Sequence, residues 1–197
     1  MVGLGNPGRQ YAGTRHNVGF EVIEALRRRN GLSAGRKAFG GVLTDWRSAS
    51  GGRVYLLQPH TFMNLSGSSA SQCATFHKVA PADVLVVLDD MALPLGQVRA
   101  RAQGSSGGHK GLSDVLSALG TDQVPRVRIG IGSPPLHVEA VDFVLTEFRP
   151  GERRVMEEAV AQAAQAVEDW VREGIESVMN RYNQKVKEEP PKAESGT

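Results

Sequence analysis

Apolar residues in this chain fall into two periods. Val18, Val22, Ile23 and Leu26 recur at the three-to-four spacing of one helical face, which predicts a helix over 18–30. Asn30-Gly31 stops it, and Arg27, Arg28 and Arg29 occupy its last turn, where positive charge suits the helix dipole. Residues 42–46 and 53–57 flank Ser48-Ala49-Ser50-Gly51-Gly52 and predict a hairpin. Val84-Leu85-Val86-Val87-Leu88 is a continuous apolar run, the signature of a central strand covered on both faces. That run stops at Asp89-Asp90, and polar residues at such a strand end commonly line a site. Arg126-Val127-Arg128-Ile129-Gly130-Ile131 alternates, so Arg126 and Arg128 share one face of a strand.

Further helices are expected over 64–79, 110–119, 151–172 and 174–184, with a weakly alternating strand over 98–102 and a flexible loop over 104–108. Residues 2–5 read as the remnant of a buried strand, short because the chain begins at Met1; part of that strand is expected to lie outside this sequence. Residues 187–197 are polar, contain Pro190-Pro191, and are expected to be disordered. Strands interleaved with helices give an α/β chain, and 197 residues suit one domain, here 1–186, around a single core.

Composition narrows the setting. Cysteine occurs once, at Cys73, so no intrachain disulfide forms and a reducing cytosol is the natural compartment. The start lacks a basic region followed by an apolar run, and no apolar stretch approaches the ~20 residues of a membrane span. Net charge is +2, but residues 1–138 hold 15 Lys/Arg against 8 Asp/Glu and residues 139–197 hold 8 against 13. Such separation gives a basic face suited to a polyanion, with solvated surface as the plainer alternative.

Candidate chemistry lies at element boundaries. Gly3-x-Gly5-x-x-Gly8 has the form of a dinucleotide-binding loop, but Pro7 removes an amide from it, and helical spacing begins only at Val18. Asn6, His16, the block from Pro59 to Gly67 with Asn64, and Asp89-Asp90 remain to be weighed together. Alone, His16 is a structural or surface histidine and Asn64 a helix N-cap. Jointly, a histidine with a strand-end carboxylate activates water, and nearby amides hold a carbonyl oxygen. The chain has no Gly-x-Ser-x-Gly elbow, no His-Glu-x-x-His and no Cys/His pair with metal-ligand spacing; its five histidines, at 16, 60, 77, 109 and 137, are scattered. Water attack without a metal or a covalent intermediate is the simplest mechanism left.

The chain resembles the bacterial-type peptidyl-tRNA hydrolases over most of its length. The resemblance is carried by Val2-Gly3-Leu4-Gly5-Asn6-Pro7-Gly8 with Tyr11, by Thr14-Arg15-His16-Asn17 and Gly19-Phe20, and by Thr61-Phe62-Met63-Asn64 with Ser66-Gly67. Asp89-Asp90 with Leu93-Pro94 and Gly96, Gly107-Gly108-His109 with Gly111-Leu112, residues 126–132, and Met179-Asn180-Arg181-Tyr182-Asn183 continue it. It implies a twisted mixed β-sheet flanked by helices in a monomeric cytoplasmic enzyme, with neither metal nor cofactor, that cleaves the ester between peptide and tRNA. It further implies that His16 is the base and Asp89 its partner, that Asn6 and Asn64 contact the ester and the 3′ end, and that Tyr11, Phe62 and Met63 line the cleft. Arg101 and Arg128 fall where the family clamps the 5′-phosphate of the acceptor stem. Lys110 departs from the pattern, since the family usually has asparagine there; a charged lysine donates hydrogen bonds but accepts none. A tRNA-binding protein without hydrolytic activity on the same scaffold is the alternative from another class, and a dinucleotide oxidoreductase is a second.

Overall fold

A computed structural model describes residues 1–48 and 51–184. In chain order the elements are β1 (Val2–Gly3), α1 (Val18–Arg29), β2 (Arg36–Ala38), β3 (Gly41–Arg47), β4 (Arg53–Pro59), α2 (Ser66–His77), β5 (Val86–Asp90), β6 (Val98–Arg101), α3 (Lys110–Leu119), β7 (Arg126–Gly130), α4 (Ala140–Val144), α5 (Pro150–Glu173) and α6 (Ile175–Tyr182). The strands form one seven-stranded sheet in the order β2-β3-β4-β1-β5-β7-β6. Its centre, β4-β1-β5-β7, is parallel, while β2, β3 and β6 pair antiparallel at the two edges. The mixed sheet flanked by helices is therefore as expected. The polar tail 187–197 lies outside the described residues.

Alternation along the central strands divides the core in two. Leu85 and Val87 enter a cluster with α1, α5 and α6, whereas Val86 and Leu88 face α2 and α3. A strand covered on both faces has no polar side to show, which is why the sequence there is an unbroken apolar run. The strand nevertheless runs on through Asp89 and Asp90, which pair with Ile129 and Gly130 of β7. Both carboxylates are thus fixed by the sheet ladder and not by a loop.

Gly3 and Gly19 bring β1 against α1: a Cβ on Gly3 would lie 2.4 Å from the Gly19 carbonyl oxygen, and one on Gly19 would lie 2.5 Å from the Leu4 backbone. Gly5 serves the same packing, since a Cβ there would lie 2.7 Å from the Phe20 ring, whereas Gly8 has a φ of 110°. The helix begins at Val18, well after the glycine turn, so the dinucleotide geometry is absent.

Several expectations are corrected. The strand β2 and the helix α4 carry no readable period, the first being a three-residue edge strand with two exposed cations and the second five residues long. The helix expected over 64–79 starts at Ser66 after a 3-10 turn over Met63–Leu65, so Asn64 is not its N-cap, and it ends at Lys78 in the left-handed region. Cys73 is buried in that helix, where burial pushes its thiol pKa up. At the outer edge, Asn183 exchanges two 2.9 Å hydrogen bonds with the Ala100 backbone, covering part of the unpaired side of β6.

Candidate active site

The cleft opens at the carboxyl ends of β1 and β5, where an α/β sheet presents its loops. It has a volume of about 640 Å³ and is lined by Asn6, Tyr11, His16, Phe62, Met63, Asn64, Asp89, Arg101, Lys110 and Arg128, which are all ten residues expected from the sequence. His109, Arg126, and Val141, Val144 and Leu145 around α4 complete its walls.

At its centre His16 Nδ1 lies 2.8 Å from Asp89 Oδ1, and His109 Nε2 lies 3.0 Å from the same oxygen. Protonation states follow from the surrounding bonds. The His109 Nδ1 accepts from the Leu112 N–H, making His109 the N-cap of α3, so its proton sits on Nε2 and points at Asp89. An ionised Asp89 accepts from His16 Nδ1–H as well, leaving His16 Nε2 as a lone-pair atom with no protein partner among the described residues. Asp89 is 3% exposed. Burial alone would push its carboxyl up, but the two histidines override this and hold it well below the usual carboxylate range.

The neighbouring turns hold this row in place. Asn17 receives the Asn6 N–H at 2.8 Å and returns a 3.0 Å bond to the Asn6 carbonyl, tying the two loops together. Asn6 Oδ1 accepts from Met63 N–H at 2.8 Å, so its amide is oriented and its Nδ2 donors have no protein partner among the described residues. Arg15, 4% exposed, anchors the other side of His16: it bonds Glu152 at 2.7 Å and stacks over Phe143 and Phe148 at 4.5 and 4.7 Å. Burial, working against the Arg149 and Arg15 bonds, is overcome, so the Glu152 carboxyl is lowered. Asn64 is exposed on the cleft rim without a side-chain bond among the described residues.

The arginines of β6 and β7 gather on one face of the sheet. In β6 and β7 the apolar Val98, Ala100, Val127 and Ile129 enter the core, which leaves Arg99, Arg101, Arg126 and Arg128 on the opposite face. Arg99 stands directly across from Arg128, and Arg101 from Arg126. Like charges in facing positions destabilise a strand pair, and of these four Arg101 and Arg128 line the cleft where a polyanion can reach them. Arg128 is already paired with Asp90 at 2.5 Å, whereas Arg101 is exposed and unpaired among the described residues. Arg126 is buried under the 104–108 loop and is not a surface arginine.

The donor atoms of His16, Asp89 and His109 lie within 4.8 Å of one another, close enough to share a cation. Their protons, however, already point at one carboxylate oxygen, so ligation would require their displacement. In the sequence His109 is one of several scattered histidines, because its partner stands twenty residues away on β5. The only signal for it there is the Gly107-Gly108-His109 block.

A model of the peptidyl-tRNA hydrolase family matches residues 1–190. The chain belongs to that family. It is 46% identical over 184 residues to the peptidyl-tRNA hydrolase of Symbiobacterium thermophilum, covering 93% of this chain and 97% of that one. With the peptidyl-tRNA hydrolase of Chloroflexus aggregans it shares 44% identity over 184 residues, covering 93% and 97%. The 1.00 Å crystal structure of peptidyl-tRNA hydrolase from Acinetobacter baumannii superimposes with a TM-score of 0.86 at 34% identity, covering 92% of each chain.

Proposed function

We infer that this chain hydrolyses the ester of peptidyl-tRNA, and the observation that carries the reading is the unengaged His16 Nε2 facing a cleft with an ionised Asp89 behind it. His16 Nε2 takes a proton from water as the oxygen attacks the ester carbonyl. Asp89 stays ionised, fixing the tautomer and stabilising the imidazolium. The free Asn6 amide, with Asn64 on the rim, donates to the developing oxyanion. The imidazolium then returns its proton to the departing ribose oxygen. His109 braces Asp89 from the other side and lowers its basicity. Tyr11, Phe62 and Met63 line the peptide-bearing part of the cleft. No cofactor or metal enters a step, the protein acts as a monomer in the cytoplasm, and residues 1–186 are its catalytic domain; among the described residues no helix is long and apolar enough to cross a membrane.

Arg101 and Arg128 are assigned to the acceptor stem of the tRNA and not to the ester. Arg101→Ala and Arg128→Ala are each expected to raise KM with little change in kcat. Each should also flatten the salt dependence of affinity by about one log–log unit for every phosphate that is no longer neutralised. Arg128→Ala has the larger effect, because it also leaves the Asp90 carboxylate unpaired beside the incoming phosphate. A short ester lacking the stem is indifferent to both changes; equal losses on short and full-length substrates contradict the assignment.

Lys110 opens α3 next to His109, where the helix's free amides already carry partial positive charge. Its ammonium either serves an anion in the cleft, which Lys110 lines, or extends into solvent, and the first is the reading put to the test. Lys110→Ala is expected to weaken turnover or binding more at low salt than at high salt, while Lys110→Asn retains much of the activity through an amide that donates and accepts. Kinetics at two salt concentrations check this. Unchanged constants for Lys110→Ala at both salts assign the residue to solvated surface.

A further inference from the structure

The 104–108 loop carries His109 into the cleft, yet it is built from glycine and serine, and Gly104, Gly107 and Gly108 all have positive φ, at 123°, 58° and 85°. Such a segment has little conformational preference of its own, so what fastens it decides where His109 stands. At its end the fastening is the 3.0 Å bond from His109 to Asp89. At its start it is Arg126, whose Nη1 donates to the Gly104 carbonyl at 2.8 Å and whose Nη2 reaches the Asp122 carbonyl at 3.5 Å. The Asp122 carbonyl also accepts the Gly104 N–H at 3.1 Å, which closes the group.

Arg126 is an unusual tenant of this position. It is 1% exposed, no carboxylate pairs with it among the described residues, and its Nε is buried without a partner. Burial, then Arg101 and Arg128, press its pKa down against the opposing pull of Asp122. A buried cation held by carbonyls alone is costly, and an apolar side chain of similar volume would pack there more cheaply. Arg126 also stands on β7, which is hydrogen-bonded along its length to β5, the strand of Asp89. Both fastenings of the loop therefore refer to one rigid pair of strands.

We propose that Arg126 is a positioning residue: by fixing Gly104 it sets where the loop delivers His109 against Asp89, and through that contact it holds the His16–Asp89–His109 row in register. The proposal rests on the hydrolytic reading in that the His109 contact serves turnover. Arg126 touches no substrate atom and acts through the loop.

A double-mutant cycle tests it, with steady-state hydrolysis of N-blocked aminoacyl-tRNA by the full chain as readout. Arg126→Gln is expected to lower kcat about 10- to 100-fold, the scale of a small misplacement far from the chemistry, with KM little changed. In a His109→Ala background the same substitution should cost nothing more, because the bond it supports is already gone. Losses that multiply in the double variant, or a loss confined to KM, overturn the proposal. Where Arg126→Gln fails to fold, Gly104→Ala takes its place in the cycle with the same expectation, since it strains the same anchor and leaves the guanidinium intact. Full kcat in His109→Ala also overturns the proposal, while hydrolysis through His16 stands or falls separately on His16→Ala.

Discussion

Asp89→Asn is expected to lower kcat by about 10²- to 10⁴-fold while the fold and tRNA affinity persist. The reason lies in the single oxygen that accepts from both His16 and His109. Asparagine matches the carboxylate in shape, but its amide can turn an N–H toward His16 Nδ1. The ring then carries its proton on Nε2, which faces water, and is no longer a base. The charge that steadies the imidazolium is lost as well. A stability measurement gives a second check. The folded Asp89 pKa is depressed below its unfolded value of about 4, so its contribution is fully present above that value and is lost as pH falls through the folded one. Asp89→Asn should therefore flatten the decline of stability on the acid side of pH ~4 relative to the unmodified chain. A decline as steep as before would remove Asp89 from the account of that limb.

His16→Ala is expected to lower kcat by at least ~10²-fold, the usual cost of removing a general base, with tRNA binding little changed. The separation follows from position: His16 is held between the Arg15 anchor and the Asn17 lock, whereas the arginine face lies on β6 and β7. Because Asn6 remains pinned by Met63 and Asn17, the oxyanion donors survive the substitution, and some turnover above the uncatalysed rate should remain. Equal collapse of binding and turnover would mean that the histidine holds the cleft together and is not its base.

Much of this arrangement is legible in the sequence where one short-range pattern decides it. The run from Val84 to Leu88 announces a strand covered on both faces, and Asp89 follows near its carboxyl end. Arg126 and Arg128 share a face because strand residues two apart must. Burial of Arg126 is not legible, since it depends on a loop arriving from residue 104. Nor is the role of His109, whose meaning comes from a contact with β5 that no local spacing encodes. Asn64 reads as a cap in the sequence, yet a 3-10 turn separates it from the helix, a distinction that side-chain pattern does not carry. Arg15 looks like one more basic residue until Phe143, Phe148 and Glu152 close around it from more than a hundred residues away.

Ester cleavage in a single turnover tests the central claim most directly, with N-blocked aminoacyl-tRNA fully bound to an excess of either the unmodified chain or His16→Ala. Saturation removes affinity from the comparison, so the rate reports the chemical step alone. The account predicts rapid release of free tRNA by the unmodified chain, and release at least ~10²-fold slower from an equally well bound His16→Ala complex. An unmodified chain that binds the tRNA and leaves its ester intact would contradict the account, and so would a His16→Ala complex that cleaves at the unmodified rate.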